Sequence, residues 1–451
     1  MTDAPAATRQ LAEYAATVTA DDIPVEVTEA AKLVVLDTVG VAMAAVDFPI
    51  GRILTDYAAA MGGAPTARVL GTDLATSPQL AAQINGTLAH GLDYDDHGHL
   101  STHVLPAALA VGESLGSSGA DLLTAYVVGR ECGYRLSSVI EAKRKQKQGP
   151  TYRGWYRVGV VGPVAAAVAA SRMLGLDPER TRHAIGIASS SSAGLRRNLG
   201  TMTKALHAGN GASAGVTAAM LAARGFTADA EAIEGPLGLV NAICLPGEAE
   251  WAPLARLGAP YELSQKLGVK YFPACSPSHK PLVAMLKLRR DHAIDPARVA
   301  SIEADLHEFS LRRLDPTEAI ATGYSLPYLL AIALVDGRVG PDQVNGDRLH
   351  DPVVRQLMAK VVADPDAAPA GAPERVTIRL DDGTVLTAEC GCKPDLSEPG
   401  EIAAKFDDCA GRRLDLHGVT QLKEAILDLG AVADVRDLTA MTTGKAGSGP
   451  C

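Results

Sequence analysis

Residues 375–389 read RVTIRLDDGTVLTAE. Val376, Ile378 and Leu380 alternate with polar residues, Asp381-Asp382-Gly383 breaks the run, and alternation resumes over Thr384–Glu389. Two alternating runs about a D-G turn specify a β-hairpin. Upstream, Val299, Ile302, Ala304 and Leu306 mark a half-buried strand over 299–306. Outward from these, strand signals stop. Val27, Ala30, Ala31, Val34, Val35 and Val39 recur at three and four, the period of an amphipathic helix. Helical periodicity continues over 77–92, 106–115, 119–140, 162–174, 177–189 and 209–223. Asp177-Pro178-Glu179 carries an N-cap and a first-turn proline. Helices are also expected over 326–334 and 351–362, a surface loop over 364–373, and helices again over 400–410 and 419–427. The tail from Thr442 onward is expected to be disordered.

The predicted fold is therefore mainly α. A large all-helical domain (1–264 and 396–451) carries an inserted, smaller α+β lid domain (265–395). Aromatics are only 4% of the 451 residues, so Ala, Val, Leu and Gly must build a closely packed helical core. The net charge of −10 provides no global attraction for nucleic acid or an anionic membrane. The N-terminus lacks a basic segment followed by an apolar run, so no secretory signal is expected. The uncharged run 205–223 is broken by His207, Asn210 and three glycines, so no membrane span is expected either. Seven scattered cysteines fit reduced thiols and a cytoplasmic location.

Polar chemistry concentrates in four places. Residues 85–99 read NGTLAHGLDYDDHGH and lead into Ser101-Thr102-His103; three carboxylates and four histidines fall within fourteen residues. Histidine titrates near neutrality and neighbouring carboxylates tune it, which points to acid–base work or anion binding. A solvated loop with helix caps is the competing reading, and His97-x-His99 with the nearby aspartates could also bind zinc or iron. In 194–209 Lys204 and His207 are three apart, so on a helix they share a face that could hold a carboxylate. Residues 270–281 (KYFPACSPSHKP) include Lys270, His279 and Cys275; a packed thiol is preferred over a nucleophile there. Gly154-Trp155-Tyr156-Arg157-Val158-Gly159 follows a basic loop.

In this order the segments resemble the MmgE/PrpD family, whose members include 2-methylcitrate dehydratase, cis-aconitate decarboxylase and iminodisuccinate epimerase. The resemblance rests on LDTVGVAMA (36–44), NGTLAHGLDYDD (85–96), THVLPAALAVGE (102–113), NLGTMTKALHAG (198–209), YFPACSPSHKPL (271–282) and YSLPYLLAIALVDG (324–337). It implies a lyase without cofactor or metal, a homodimer, and a cleft for a small di- or tricarboxylate between body and lid. It carries family functional positions onto Asp93, His103, Lys204 and His279. Two departures stand out. His97 occupies a position where relatives usually carry Thr, and Tyr156 and Val158 stand where the family's G-W-H-x-T motif has His and Thr. A Tyr near pKa 10 does not exchange protons at neutrality unless strongly perturbed.

The resulting expectation is proton abstraction or elimination beside a carboxylate, of the hydro-lyase sort; a decarboxylase or epimerase is the alternative within the family. Outside it, the alternatives are a metal-dependent hydrolase and a non-catalytic binding homologue. Asp93, His97, His103, Tyr156 and Lys204 are the expected catalytic residues, with His103 the principal proton carrier. Arg157, His207, Lys270 and His279 are the expected substrate-binding residues.

Overall fold

The computed structural model describes residues 6–265, 267–306, 315–364, 367–368 and 372–444. Six helices form the frame of the site: α1 (Val25–Ala45), α2 (Pro78–Ala89), α3 (Ser101–Leu115), α4 (Gly119–Ile140), α5 (Arg157–Met173) and α6 (Met202–Ala222). Alanines and glycines let them pack closely. A Cβ added to Gly209 on α6 would meet the Gln83 carbonyl oxygen and Thr87 Oγ1 of α2 at 2.1 Å, and one on Gly86 would come within 3.0 Å of Gly209 Cα. Backbone thus touches backbone, so the start of α6 sits beside the end of α2. Among the described residues, no single helix is long and apolar enough to cross a membrane.

The strands gather later in the chain. β1 (Val269–Lys270) pairs antiparallel with β6 (Asp395–Leu396), so the chain enters and leaves the intervening segment side by side. Between them, β2 (Val299–Asp305), β3 (Val361–Asp364), β4 (Glu374–Leu380) and β5 (Val385–Cys390) form one sheet in the order β3-β2-β4-β5. The hairpin expected around Asp381–Gly383 is β4–β5, with Ile378 opposite Leu386 and Val376 opposite Ala388. Ile302 and Ala304 of β2 face Ile378 and Val376. These apolar faces are buried beneath α7 (His279–Asp291). This is a mainly α architecture with a smaller α+β part, as the sequence predicts.

Several local expectations change. The helix expected over 351–362 stops at Met358, and Val361–Asp364 becomes β3, parallel to β2. The β2 edge supplies the hydrogen-bonding partner, and periodicity within 351–362 cannot register it. Three helices begin earlier than expected. α3 starts at Ser101 and contains Pro106; α5 starts at Arg157 and contains Pro163; α6 starts at Met202. His103, Arg157, Lys204 and His207 consequently sit on first or second helical turns and not on loops. A small ladder, Ala67–Arg68 with Ala75–Thr76, appears where no strand is expected. Residues 365–366 and 369–371 of the expected surface loop, and 445–451 of the expected disordered tail, lie outside the described residues.

Candidate active site

The chain between α2 and α3, residues 90–100, is an eleven-residue polar loop with irregular backbone. His90 caps the end of α2, and Asp93 (φ 50°) and His99 (φ 61°) occupy the left-handed region. Asp and His enter that region more readily than most residues, at a cost of about 1 kcal/mol or more. The cost is met by contacts that hold the loop at several points. Asp96 accepts from Arg130 Nη1 of α4 at 2.8 Å, and the His97 N–H donates to the Gly268 carbonyl at 2.8 Å.

Two charged clusters result. In the first, Asp93 is buried between two ammonium groups: Lys204 Nζ of α6 is 2.7 Å from its Oδ1, and Lys270 Nζ of β1 bonds the same oxygen. Lys270 Nζ also donates to the Asp93 carbonyl at 2.8 Å. Burial pushes the Asp93 carboxyl up, but Lys204 and Lys270 outweigh it and hold the group well below the usual carboxylate range.

In the second, Asp95 is fully buried between two imidazoles. His90 Nδ1 lies 3.1 Å from Oδ1 and His99 Nδ1 2.7 Å from Oδ2. His90 Nε2 in turn meets the Tyr156 hydroxyl at 2.9 Å. Against the cost of burial, the two imidazoles keep Asp95 ionised. Burial keeps both rings neutral: His90 is lowered, and His99 falls to about 3 despite the pull of Asp95. Burial and the charge of Asp93 raise the Tyr156 phenol well above its usual value.

Both clusters border a cavity of about 400 Å³. Arg144, Arg157, Arg196, Lys204, Lys270, Lys280 and Lys393 line it, against the carboxylates of Asp93 and Glu374. Such a cavity attracts a small polyanion in spite of the protein's acidic surface. Arg157 Nη1 donates to Ser137 Oγ at 2.6 Å and Nη2 to the Gly98 carbonyl at 3.4 Å. Among the described residues no carboxylate is paired with this guanidinium, so it can take one from a ligand.

Of the expected site residues, Asp93, Tyr156, Arg157, Lys204 and Lys270 line the cavity. The other four do not. His97 turns away and bonds Asp395 of β6, with Lys393 Nζ 2.9 Å from its Nδ1. His103 is fully buried behind the cavity wall. Its Nδ1 lies 3.1 Å from the His99 carbonyl oxygen, and its Cδ2 edge fills the space a Cβ would occupy on Gly162 or Gly211. Burial lowers its pKa to about 3, and, unlike His99, its ring does not line the cavity, so it is not placed to carry the substrate proton expected of it from the sequence. His279 is fully buried and its Nε2 is bound to the Ala274 carbonyl oxygen at 3.1 Å. His207 is half-buried, with its ring tilted 5.5 Å from that of Tyr156. The Cys275 thiol lines the cavity, but burial pushes it up to about 11, away from thiolate nucleophilicity.

Sequence reasoning singled out the 85–103 cluster but did not separate His90, Asp95 and His99 from their neighbours. Tyr324 entered only as the first residue of the 324–337 segment and was not singled out for the site. Its ring lies 5.6 Å from Lys204 Nζ and lines the cavity, and it follows Gly323 in a segment that looks like plain helix start.

The donor atoms of His90, Asp93, Asp95 and His99 lie within 4.8 Å of one another, which are the donor types of a zinc or iron site. The pairing argues against that use. A divalent cation there would face the ammonium groups of Lys204 and Lys270, and both Asp95 oxygens already accept from imidazoles. His97, needed for the expected His-x-His pair, points elsewhere.

Two family models match the chain: the MmgE/PrpD N-terminal domain over residues 9–252 and the MmgE/PrpD C-terminal domain over 272–430. Similar curated proteins carry the name cis-aconitate decarboxylase. That of Aspergillus terreus (strain NIH 2624 / FGSC A1156) is 26% identical over 472 residues, spanning 96% of this chain and 94% of the relative. The Homo sapiens protein is 28% identical over 459 residues, spanning 94% and 91%. The Mus musculus protein is 29% identical over 381 residues, spanning 79% and 76%. With both of its halves matched by the family's own domains, this chain belongs to the MmgE/PrpD family.

Proposed function

We propose that the protein is a cofactor-independent lyase acting on a small di- or tricarboxylate by removing or replacing a proton beside a carboxylate. One observation carries this reading: Asp93 held between Lys204 and Lys270 on the wall of a cavity dominated by cations. Chemistry next to a carboxylate develops negative charge on an enediolate. Preorganised ammonium groups in a buried site stabilise that charge without reorganising. Asp93 pairs with both ammonium groups and fixes their direction; it is a positioning group. Arg157 is suited to clamp a second carboxylate bidentately. Tyr156, kept as a neutral phenol by burial and Asp93, is suited to give a proton or hydrogen bond to the reacting centre.

Dehydration and decarboxylation both use these parts. The names of the relatives favour decarboxylation of a cis-aconitate-like substrate as the second reading. The replacement of the family's His by Tyr156 favours keeping the broader class.

The test is proton NMR in D₂O with citrate, methylcitrate, cis-aconitate and iminodisuccinate, each incubated with the enzyme. A new olefinic signal, loss of CO₂ or deuterium entering the substrate is expected for at least one. Four unchanged spectra would reject the reading. For whichever compound reacts, Arg157→Met is expected to raise KM by roughly 10–100-fold with kcat within threefold, since hydrogen bonds to a charged group contribute about 1.5–3 kcal/mol. Unchanged KM would remove Arg157 from substrate binding.

A further inference from the structure

A single buried carboxylate, Asp95, serves two imidazoles whose far ends reach the cavity at different points. His99 borders the cavity itself, and His90 reaches it through the Tyr156 hydroxyl, 2.9 Å from His90 Nε2. Because Asp95 accepts at Oδ1 from His90 and at Oδ2 from His99, each ring presents Nδ1–H to it. His90 Nε2 is then the acceptor for the Tyr156 O–H. Among the described residues no protein group bonds His99 Nε2, whose lone pair is left for a ligand. The two rings are 4.6 Å apart, centroid to centroid.

We propose that Asp95 joins Tyr156 and His99 into a pair of alternative bases that together carry one substrate proton. In the first arm, Tyr156 Oη takes the proton from the substrate carbon while its own hydroxyl proton passes to His90 Nε2. The C–H electron pair stays on the substrate as the enediolate, and the new charge is a His90 imidazolium against Asp95. In the second arm, His99 Nε2 takes the proton directly and the His99 imidazolium rests on the other Asp95 oxygen. Reversal of either arm returns the proton. Two imidazolium rings at this distance repel, and one carboxylate neutralises only one of them, so protonation of one arm closes the other.

The arrangement answers the difficulty posed by Tyr156. A phenol is a poor base alone, but a Tyr–His–Asp chain removes its proton as it accepts another, the logic of a hydroxyl activated by an oriented histidine. His99 is the additional catalytic residue; His90 and Asp95 position and charge-balance the two arms. The proton-transfer role rests on the lyase reading above, whereas the coupling between the two rings does not.

The experiment is therefore histidine-labelled NMR of the substrate-free full-length enzyme. In the unaltered protein the nitrogen shifts are expected to report Nδ1–H tautomers for both His90 and His99; an Nε2–H tautomer in either ring would overturn the proposal. In His99→Gln the midpoint of His90 is expected to rise by roughly one pH unit, a tenfold gain in proton affinity, because its competitor for Asp95 is gone. An unmoved His90 midpoint would also overturn it. With a reacting compound in hand, Asp95→Asn is expected to lower kcat by about 10²-fold or more with little change in KM, and Asp95→Glu to recover part of it. Full kcat in Asp95→Asn would reject the catalytic role while the titrations still judge the coupling.

Discussion

Lys204→Met is expected to lower kcat/KM by about 10²–10³-fold, the usual loss when one preorganised donor to a developing oxyanion is removed. Lys204 is nearly fully buried, 2.7 Å from Asp93, with the rings of Tyr156 and Tyr324 6.0 and 5.6 Å from its ammonium. Methionine fills similar space without the charge. Lys270 continues to neutralise Asp93 in the variant, so the fold is expected to survive and the thermal transition should remain cooperative. The deficit should fall mainly on kcat if the ammonium acts on the enediolate, and mainly on KM if it only binds a ground-state carboxylate. Steady-state kinetics on the reacting compound separate the two. A kcat/KM within threefold of the parent would rule out the ammonium pair as the source of catalysis.

The second large effect concerns stability. Lys405→Met is expected to cost about 3–5 kcal/mol, the range for breaking a buried ion pair from one side. Lys405 belongs to a helix, Pro399–Ala410, that returns to the helical body after the sheet. Its ammonium is 2.6 Å from Asp37 Oδ1 of α1 and lies 3.6 Å above the Tyr94 ring. It also donates to the carbonyl oxygens of Tyr94 and Lys270, the latter at 3.1 Å. Burial already pushes the Asp37 carboxyl up to about 6 against the pull of Lys405. Without Lys405 the buried Asp37 carboxyl would lose the partner that opposes its upward shift and would have to take up a proton to stay in the core, and Tyr94 and Lys270 would lose their shared anchor. The double variant Asp37→Leu with Lys405→Met should regain most of the loss, because replacing both partners by apolar groups is often neutral. Urea midpoints of the single and double variants measure this. A single-variant cost below about 1 kcal/mol would show that the pair is not structural. Activity is expected to fall in both variants, since Lys270 and the 90–99 loop are no longer pinned together.

Much of the architecture was written locally. The Asp177 cap and the D-G hairpin are short-range patterns that produced the expected elements because packing agreed with propensity, and the helical periods did so except at the starts of three helices and over 361–362, where β3 replaced helix. The polar concentration between 90 and 103 was equally visible. Which of its members does chemistry was not. His97 and His99 are two residues apart and alike in sequence, yet His97 bonds Asp395 and His99 bonds Asp95 at the cavity. That difference comes from left-handed backbone at Gly98 and His99 and from the docking of His97 N–H on Gly268, a residue far away in the chain.

The same holds for the charge pair at the centre. The sequence by itself determined a helical body, a sheet-bearing segment and a set of basic and acidic side chains suited to carboxylate chemistry. Only the tertiary structure decided that Lys204 and Lys270 both reach Asp93, through the Gly86–Gly209 contact of α2 with α6 and the return of β1 to the loop. Secondary structure follows from patterns within a few residues. The direction of a side chain on an irregular loop follows from φ and ψ angles held by partners remote in sequence, and no local pattern encodes those partners.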